Sequence, residues 1–235
     1  MGDIIKKGKN FIFPPIKRVK AMATYKMIKV SVPDAPVSEA LPAVMTFYVD
    51  TRFTTAQVNR IRQMISIVLG NWELHFDQLD SGEESNYQNC CNKYARFNLA
   101  PVWFEEKLAN GSVAASVQMD GFTTQITANG FGRASKAYIM YQKSGSSTVK
   151  GVNASNPETA SLSVLINADH LNKTSVSTVF LGGSLQHAWL HREGYRHPAG
   201  KYTSYMAGEA SMCIMRGNKD KSPGLSDTTY TRWLD

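Results

Sequence analysis

Three histidines and a glycine within eleven residues have the spacing of a metal site. His187, His191, Gly194 and His197 follow the pattern HxxxHxxGxxH. Residues four apart lie on one face of a helix, so the first two histidines can offer their imidazoles to one ion. Gly194 tolerates the positive φ that ends a helix, and the turn can bring back His197 as a third ligand. Three protein ligands leave one position open, as in a catalytic Zn²⁺ site that activates water.

The spacing resembles the metzincin signature HExxHxxGxxH, with Ala188 where that family has a glutamate. In metzincins this glutamate takes a proton from the zinc-bound water and passes it to the leaving amine, which alanine cannot do. Glu193 is a poor substitute, because at about 100° per residue it points about 240° away from His187, whereas position 188 lies near 100°. Position 188 is therefore the expected position of the general base.

Two functional interpretations follow from this resemblance. The first is a zinc-dependent metalloendopeptidase that hydrolyses peptide bonds with metal-activated water, present here in a form inactivated by Ala188. The second is a zinc-binding pseudopeptidase that binds a peptide or protein in extended conformation without cleaving it. The favoured explanation for Ala188 is that the glutamate was replaced deliberately to obtain an inactive form, since all three ligands and the glycine are retained.

A methionine segment downstream extends the resemblance. The run Cys-Ile-Met-Arg at residues 213–216 is similar to the Met-turn of adamalysin-type metzincins, in which a methionine lies beneath the zinc-bound imidazoles. The resemblance assigns this role to Met215. Met206 is the alternative, because matrixin-type members have a short gap between the third histidine and the methionine. The candidates for an oxyanion donor or a further ligand are Tyr202, Tyr205 and Tyr230.

The elements that must position these residues are expected to form an α+β fold. The resemblance implies a metzincin-like (zincin) catalytic domain with a mixed twisted sheet, an active-site helix and a small C-terminal subdomain. Residues 1–40 would form a basic N-terminal arm or pro-like segment. Residues 41–194 would form the catalytic subdomain with the active-site helix, and residues 195–235 the subdomain that carries the third ligand and the Met-turn.

The hydrophobic pattern predicts individual elements in this order. Residues 43–49 are rich in Val, Phe and Tyr, which favours a strand, and Thr54 or Thr55 can cap a helix that Gly70 can end. Residues 72–76 and 138–142 are predicted as further strands.

The motif helix should begin near residues 175–177 and run to Glu193, with Trp189 and Leu190 in the core. Residues 161–166 are the candidate for the antiparallel edge strand that binds extended substrate in metzincins. The polar stretch 144–158 is predicted as a loop.

The positive charge is concentrated at the N-terminus. Residues 1–30 hold eight Lys or Arg and one acidic residue, and so account for the whole net charge of +7. Such an arm can contact an anionic membrane surface, nucleic acid or the catalytic domain itself, so a nucleic-acid or membrane binder led by the arm is a third interpretation. Peripheral contacts are the expectation for this arm, and no nucleic-acid partner is expected. No apolar run approaches the roughly 18 residues of a transmembrane helix. No signal peptide is visible, although the family resemblance favours a secreted or extracellular protein.

Three cysteines are too few for a disulfide scaffold or a cysteine-based zinc site. Cys213 can pair with Cys90 or with Cys91 in an oxidising compartment. Three buried free thiols are the equally supported alternative.

Overall fold

A computed structural model describes residues 23–151 and 155–235. Most of the basic arm, residues 1–22, and residues 152–154 of the expected loop lie outside the described residues. The described residues form a mixed five-stranded sheet and seven helices, which confirms the predicted α+β class. The strands are β1 (Tyr25–Ser31), β2 (Val44–Asp50), β3 (Ala137–Gln142), β4 (Val149–Gly151) and β5 (Val164–Asn167). The helices are α1 (Thr55–Asp80), α2 (Asn86–Tyr94), α3 (Gly111–Gly130), α4 (Ala168–Leu171), α5 (Thr178–Arg192), α6 (Met206–Met215) and α7 (Thr228–Thr231).

The sheet has the strand order β1-β2-β3-β5-β4. The three central strands are parallel, and β1 and β4 pair antiparallel at the two edges. β1 is formed by residues that the sequence analysis placed in the N-terminal arm. The predicted strands at 43–49 and 138–142 are confirmed as β2 and β3.

The expected edge strand at residues 161–166 was wrong. Its C-terminal part is β5, an inner strand that pairs with β3 on one side and with β4 on the other. Val164 and Ile166 are fully buried, which fits a strand with a neighbour on each side. The edge is instead the three-residue β4, which lies within the polar stretch predicted as a loop.

Helix α1 begins as predicted but does not end at Gly70. Thr54 caps it with a reciprocal capping box to Gln57. The strand predicted at residues 72–76 was wrong, because Trp72 and His75 continue the buried face of the helix. Trp72 donates a 2.9 Å hydrogen bond to the Thr123 hydroxyl in α3. Burying that side chain gains about 1.5–3 kcal/mol, more than the roughly 1 kcal/mol that a helical glycine costs.

Helix α5 packs against α1, α6 and β4 and carries the histidine motif. Trp189 and Leu190 are fully buried, as expected for core residues. The indole of Trp189 packs between Phe47 of β2 and Phe122 of α3, with ring centroids 6.2 and 5.5 Å away, and donates to the Leu162 carbonyl. This packing fixes the rotation of α5 and therefore the direction of its histidines.

A disulfide joins Cys90 of α2 to Cys213 of α6. It is one of the two pairings left open by the sequence, and Cys91 is a buried free thiol. In the part of the chain that the structure describes, no helix combines the length and apolar character needed to cross a bilayer.

Candidate metal centre

The first two histidines of the motif lie one turn apart on α5. Ser177 caps this helix by accepting a hydrogen bond from the Phe180 N–H, so the helix starts where the sequence predicted. His187 is fully buried, and the His191 side chain is 20% exposed. Their ring centroids are 4.6 Å apart. Both imidazoles therefore point to one place at the edge of the core.

Gly194 makes the turn that returns the chain to this place. Its φ is +93°, a conformation that L side chains rarely adopt. Its N–H bonds the His191 carbonyl at 3.1 Å, and a Cβ at this position would come within 3.1 Å of Trp103 and Val102. Both the backbone conformation and the lack of space therefore require glycine. The turn brings His197 back to the other two histidines.

The three imidazoles meet through their Nε2 atoms. His187 Nε2 lies 3.1 Å from His191 Nε2 and 3.1 Å from His197 Nε2. All three candidate ligand atoms are within 4.8 Å of one another. The structure thus brings together the three histidines that the sequence singled out.

Backbone carbonyls hold the other nitrogen of each ring. Each Nδ1 lies 2.8–3.0 Å from a carbonyl oxygen. A carbonyl only accepts, so Nδ1 carries the ring proton and Nε2 presents its lone pair. The carbonyls belong to Ala207 for His187, to Tyr195 for His191 and to Pro198 for His197.

Three lone pairs that face one another at this separation repel unless a cation lies between them. Burial lowers the pKa of His187 well below its ordinary value, and the neighbouring His191 and His197 lower it further. Burial also lowers the pKa of His197. Neutral imidazole is the form that binds a metal. The donor set, the tautomers and the burial therefore fit a bound metal ion.

Neither Ala188 nor Glu193 presents a proton acceptor to the metal-facing nitrogens. Ala188 is fully buried, and its carbonyl lies so close to β4 that a Cβ on Gly151 would overlap it. Glu193 is buried against α3, with its Oε2 atom beside Gly121, and burial raises the pKa of its carboxyl well above the usual range. As expected from the helical geometry, Glu193 points away from the cluster.

The two methionine candidates lie at opposite ends of α6. Met215 is the last residue of this helix and packs against Gly183 of α5, where an added Cβ would overlap its side chain. Met206 is the first residue and is completely buried. It adjoins Ala207, whose carbonyl holds the His187 ring. Met215 and the run 213–216 therefore lie at the C-terminal end of α6. Met206 lies at the other end, next to Ala207, which contacts the cluster.

Of the three tyrosine candidates, Tyr202 lies against the histidines. Its ring centroid is 4.9 Å from that of His197 and 5.9 Å from that of His187. Burial raises the pKa of its phenol, so the hydroxyl stays protonated at neutral pH. The other two have aromatic neighbours elsewhere: Tyr205 lies beside Phe97, and Tyr230 beside Phe180.

Asp235 lies at the cluster and was missed by the sequence analysis. Its Oδ1 atom is 3.4 Å from His187 Nε2 and 3.9 Å from His191 Nε2. It follows α7 and is distant in sequence from the histidine motif, so no local spacing marks it. Only the folded arrangement of the C-terminal residues against α5 reveals it.

Comparison with known proteins adds no family assignment. No protein-family model, no curated protein and no solved structure matches the chain. The three-histidine cluster is therefore the feature on which a functional proposal rests.

Proposed function

We propose that the protein is a zinc-binding protein with a metallopeptidase type of centre, in which His187, His191 and His197 are the ligands. The observation that carries this proposal is the convergence of three Nε2 lone pairs, each aligned by a carbonyl on Nδ1. Two nitrogens on a tetrahedral zinc with bonds of about 2.0–2.1 Å lie about 3.3 Å apart. The two separations of 3.1 Å are close to this value.

The metzincin resemblance gives the finer form of the proposal, a zinc metalloendopeptidase. A zinc ion in such a site supplies a Lewis acid that polarises a carbonyl and acidifies a bound water. Among this chain's own residues, Tyr202 offers a hydroxyl beside the histidines that can donate to a developing oxyanion. The antiparallel edge strand β4, which adjoins α5 at Gly151, is the candidate surface for extended peptide.

Ala188 limits what the chain can do as written. It offers no group that can accept a proton, and Glu193 is buried on another side of α5. General acid–base catalysis contributes about 10²–10⁴-fold, so hydrolysis should be weak or absent. For the same reason, a second candidate function is zinc-dependent binding of extended peptide without cleavage.

The experiment that tests both candidates combines metal analysis with a cleavage assay. Metal content and cleavage of a peptide library are measured on the chain, on Ala188→Glu and on Ala188→Gln. The glutamine variant is the matched control, since it has nearly the same size and cannot act as a base. Because Ala188 is fully buried, circular dichroism and thermal melting must show that both variants fold.

Each outcome has a separate meaning. One zinc per chain, with cleavage only in Ala188→Glu, supports the metallopeptidase proposal. Zinc in all three folded proteins with no cleavage, also when Asp235 beside His187 is replaced by Ala, overturns the peptidase and favours the binding protein. A folded chain that takes up no zinc overturns both.

A further inference from the structure

The C-terminal residues 233–235 are held between β4 and α5. The Trp233 carbonyl accepts a 2.7 Å hydrogen bond from the Ser184 hydroxyl of α5 and a 3.3 Å bond from the Thr148 N–H beside β4. The indole also meets the His170 ring edge-on, with centroids 5.3 Å apart. Leu234 is buried. Packing and hydrogen bonds on both sides therefore determine where the next residue, Asp235, lies.

The Asp235 carboxylate is at ligand distance from the cluster. Its Oδ1 lies 3.4 Å from His187 Nε2 and 3.9 Å from His191 Nε2. An oxygen and a nitrogen bound to one tetrahedral zinc at about 2.0–2.2 Å are about 3.3–3.5 Å apart. A carboxylate that acts only through a bound water would lie farther from the ligand nitrogens.

The backbone of Gly151 and of Asp235 itself lies close to the Asp235 carboxyl, but the Oδ1 atom is left without a hydrogen bond among the described residues. Asp235 Oδ1 is buried and has no hydrogen-bond partner. His187 and His191 cannot supply a proton from Nε2 while their ring protons lie on Nδ1 against carbonyls. An unpaired buried carboxylate oxygen beside nitrogen lone pairs is unfavourable, and a shared cation removes that penalty.

We infer that Asp235 is a fourth metal ligand, which takes the position that three histidines leave open. The inference rests on the proposed metal site and deepens it. With three imidazoles and one carboxylate, the coordination sphere is closed, as in structural zinc sites. Residues 233–235 also lie beside β4, the strand proposed to bind peptide. While it is bound, the same carboxylate keeps water and peptide carbonyls off the metal.

The test compares Asp235→Ala and Asp235→Asn with the unchanged chain and with Asp220→Asn. Asp220 is the matched control, because it is an exposed carboxylate paired with Lys93 on the surface. Zinc affinity is measured by competition with a chelating dye. The visible spectrum of the Co²⁺-loaded protein reports coordination, and acetohydroxamate titrated into that protein reports an open position. Circular dichroism of each variant checks the fold.

Loss of a partner in the outer shell of a metal site typically costs 10–100-fold in affinity, so loss of a direct ligand should cost at least about tenfold. We expect this loss in Asp235→Ala, a smaller loss in Asp235→Asn, an altered Co²⁺ spectrum and stronger hydroxamate binding. Asp220→Asn should match the unchanged chain in every readout.

Equal zinc affinity, identical Co²⁺ spectra and equal hydroxamate binding in folded Asp235→Ala would overturn the role of Asp235 and leave the three-histidine site intact. An unchanged chain that binds neither Zn²⁺ nor Co²⁺ would overturn the metal site itself. The two failures are therefore distinguishable.

Discussion

The His187 imidazole and the Ala207 carbonyl are joined by a 3.0 Å hydrogen bond that links α5 to the beginning of α6. The Ser211 hydroxyl donates to the same carbonyl at 2.6 Å. The most buried ligand of the cluster is therefore oriented by the packing of two helices. The orientation of the His187 ring therefore depends on how α5 and α6 pack together.

Replacement of one ligand should abolish high-affinity metal binding. We expect His191→Ala to lose more than the 10–100-fold in affinity that outer-shell partners cost, because the ion then keeps only two histidines. Elemental analysis after gel filtration measures this. His75→Gln is the control, since His75 lies on α1 beside Ser85. This variant should keep one ion per chain. Equal metal content in the two variants would contradict the assignment.

Metal removal should lower the melting temperature. An ion that binds only the folded chain stabilises it by about 2.7 kcal/mol when the free ion is at 100 times its dissociation constant. Calorimetry with zinc, with a chelator and after zinc is restored should show a reversible shift. The His191→Ala variant should show no such shift, and an equal shift there would point to binding elsewhere.

The Cys90–Cys213 disulfide should contribute substantially to stability. It connects residues 123 positions apart, and closing a loop of that size is worth about 4–5 kcal/mol in the chain-entropy treatment. We expect a Cys90→Ser, Cys213→Ser double variant to lose most of this free energy of unfolding in urea titrations. Dithiothreitol should destabilise the unchanged chain and leave the double variant unaffected.

The third cysteine provides an independent check of that pairing. Burial raises the pKa of the Cys91 thiol far above its ordinary value, so the thiol should resist alkylation in the folded protein. Iodoacetamide labelling followed by mass spectrometry should find no modified cysteine in the native chain. It should find one after unfolding, and three after unfolding with reduction. Two or more labels without reduction would rule out the disulfide.

His75 should make stability fall in mild acid. Burial lowers its pKa from 6.5 to about 4, so between these values the unfolded chain takes up a proton that the folded chain refuses. The stabilisation that neutral His75 contributes is fully present above pH 6.5. It is lost as the pH falls towards 4, which lowers the free energy of unfolding by up to about 3 kcal/mol. Urea unfolding across this range measures it. Folded His75→Gln should show a shallower slope, and an identical slope would exclude His75 as the cause.

Replacement of two helical glycines by alanine should change stability in opposite directions. At Gly183 an added Cβ would overlap Met215 and lie 2.8 Å from the Ser211 carbonyl, so Gly183→Ala should destabilise by about 1–3 kcal/mol. At Gly70 the Cβ would meet nothing within 4 Å. Gly70→Ala should therefore stabilise by about 0.5–1 kcal/mol. Denaturant titration distinguishes these cases, and equal effects would show that α5 and α6 are not in close contact at Gly183.

Local patterns in the sequence predicted the elements that local interactions determine. The capping hydroxyl of Thr54 and the apolar spacing after it marked the beginning of α1, and the histidine spacing marked α5. Gly194 was predicted to have a positive φ because only one residue type adopts that conformation easily. These features depend on neighbours within one or two helical turns, which a sequence displays directly.

Features that depend on distant partners were missed. Residues 72–76 have the composition of a strand, and they are helical because Trp72 packs against α3. β4 is a strand because β5 is there to pair with it. Asp235 reaches the histidines only because Trp233 is held by Ser184 and Thr148. In each case the deciding contact joins segments far apart in the chain.

The three carbonyls on the Nδ1 atoms have a consequence for how the ion is acquired. Because backbone carbonyls orient the rings, part of the conformational entropy of assembling the donors is lost during folding and not at the moment of uptake. Zinc fingers, by contrast, must fold around their metal. Since the backbone of this protein orients the rings before the ion arrives, uptake should follow a single second-order phase whose rate rises in proportion to the concentration of free ion.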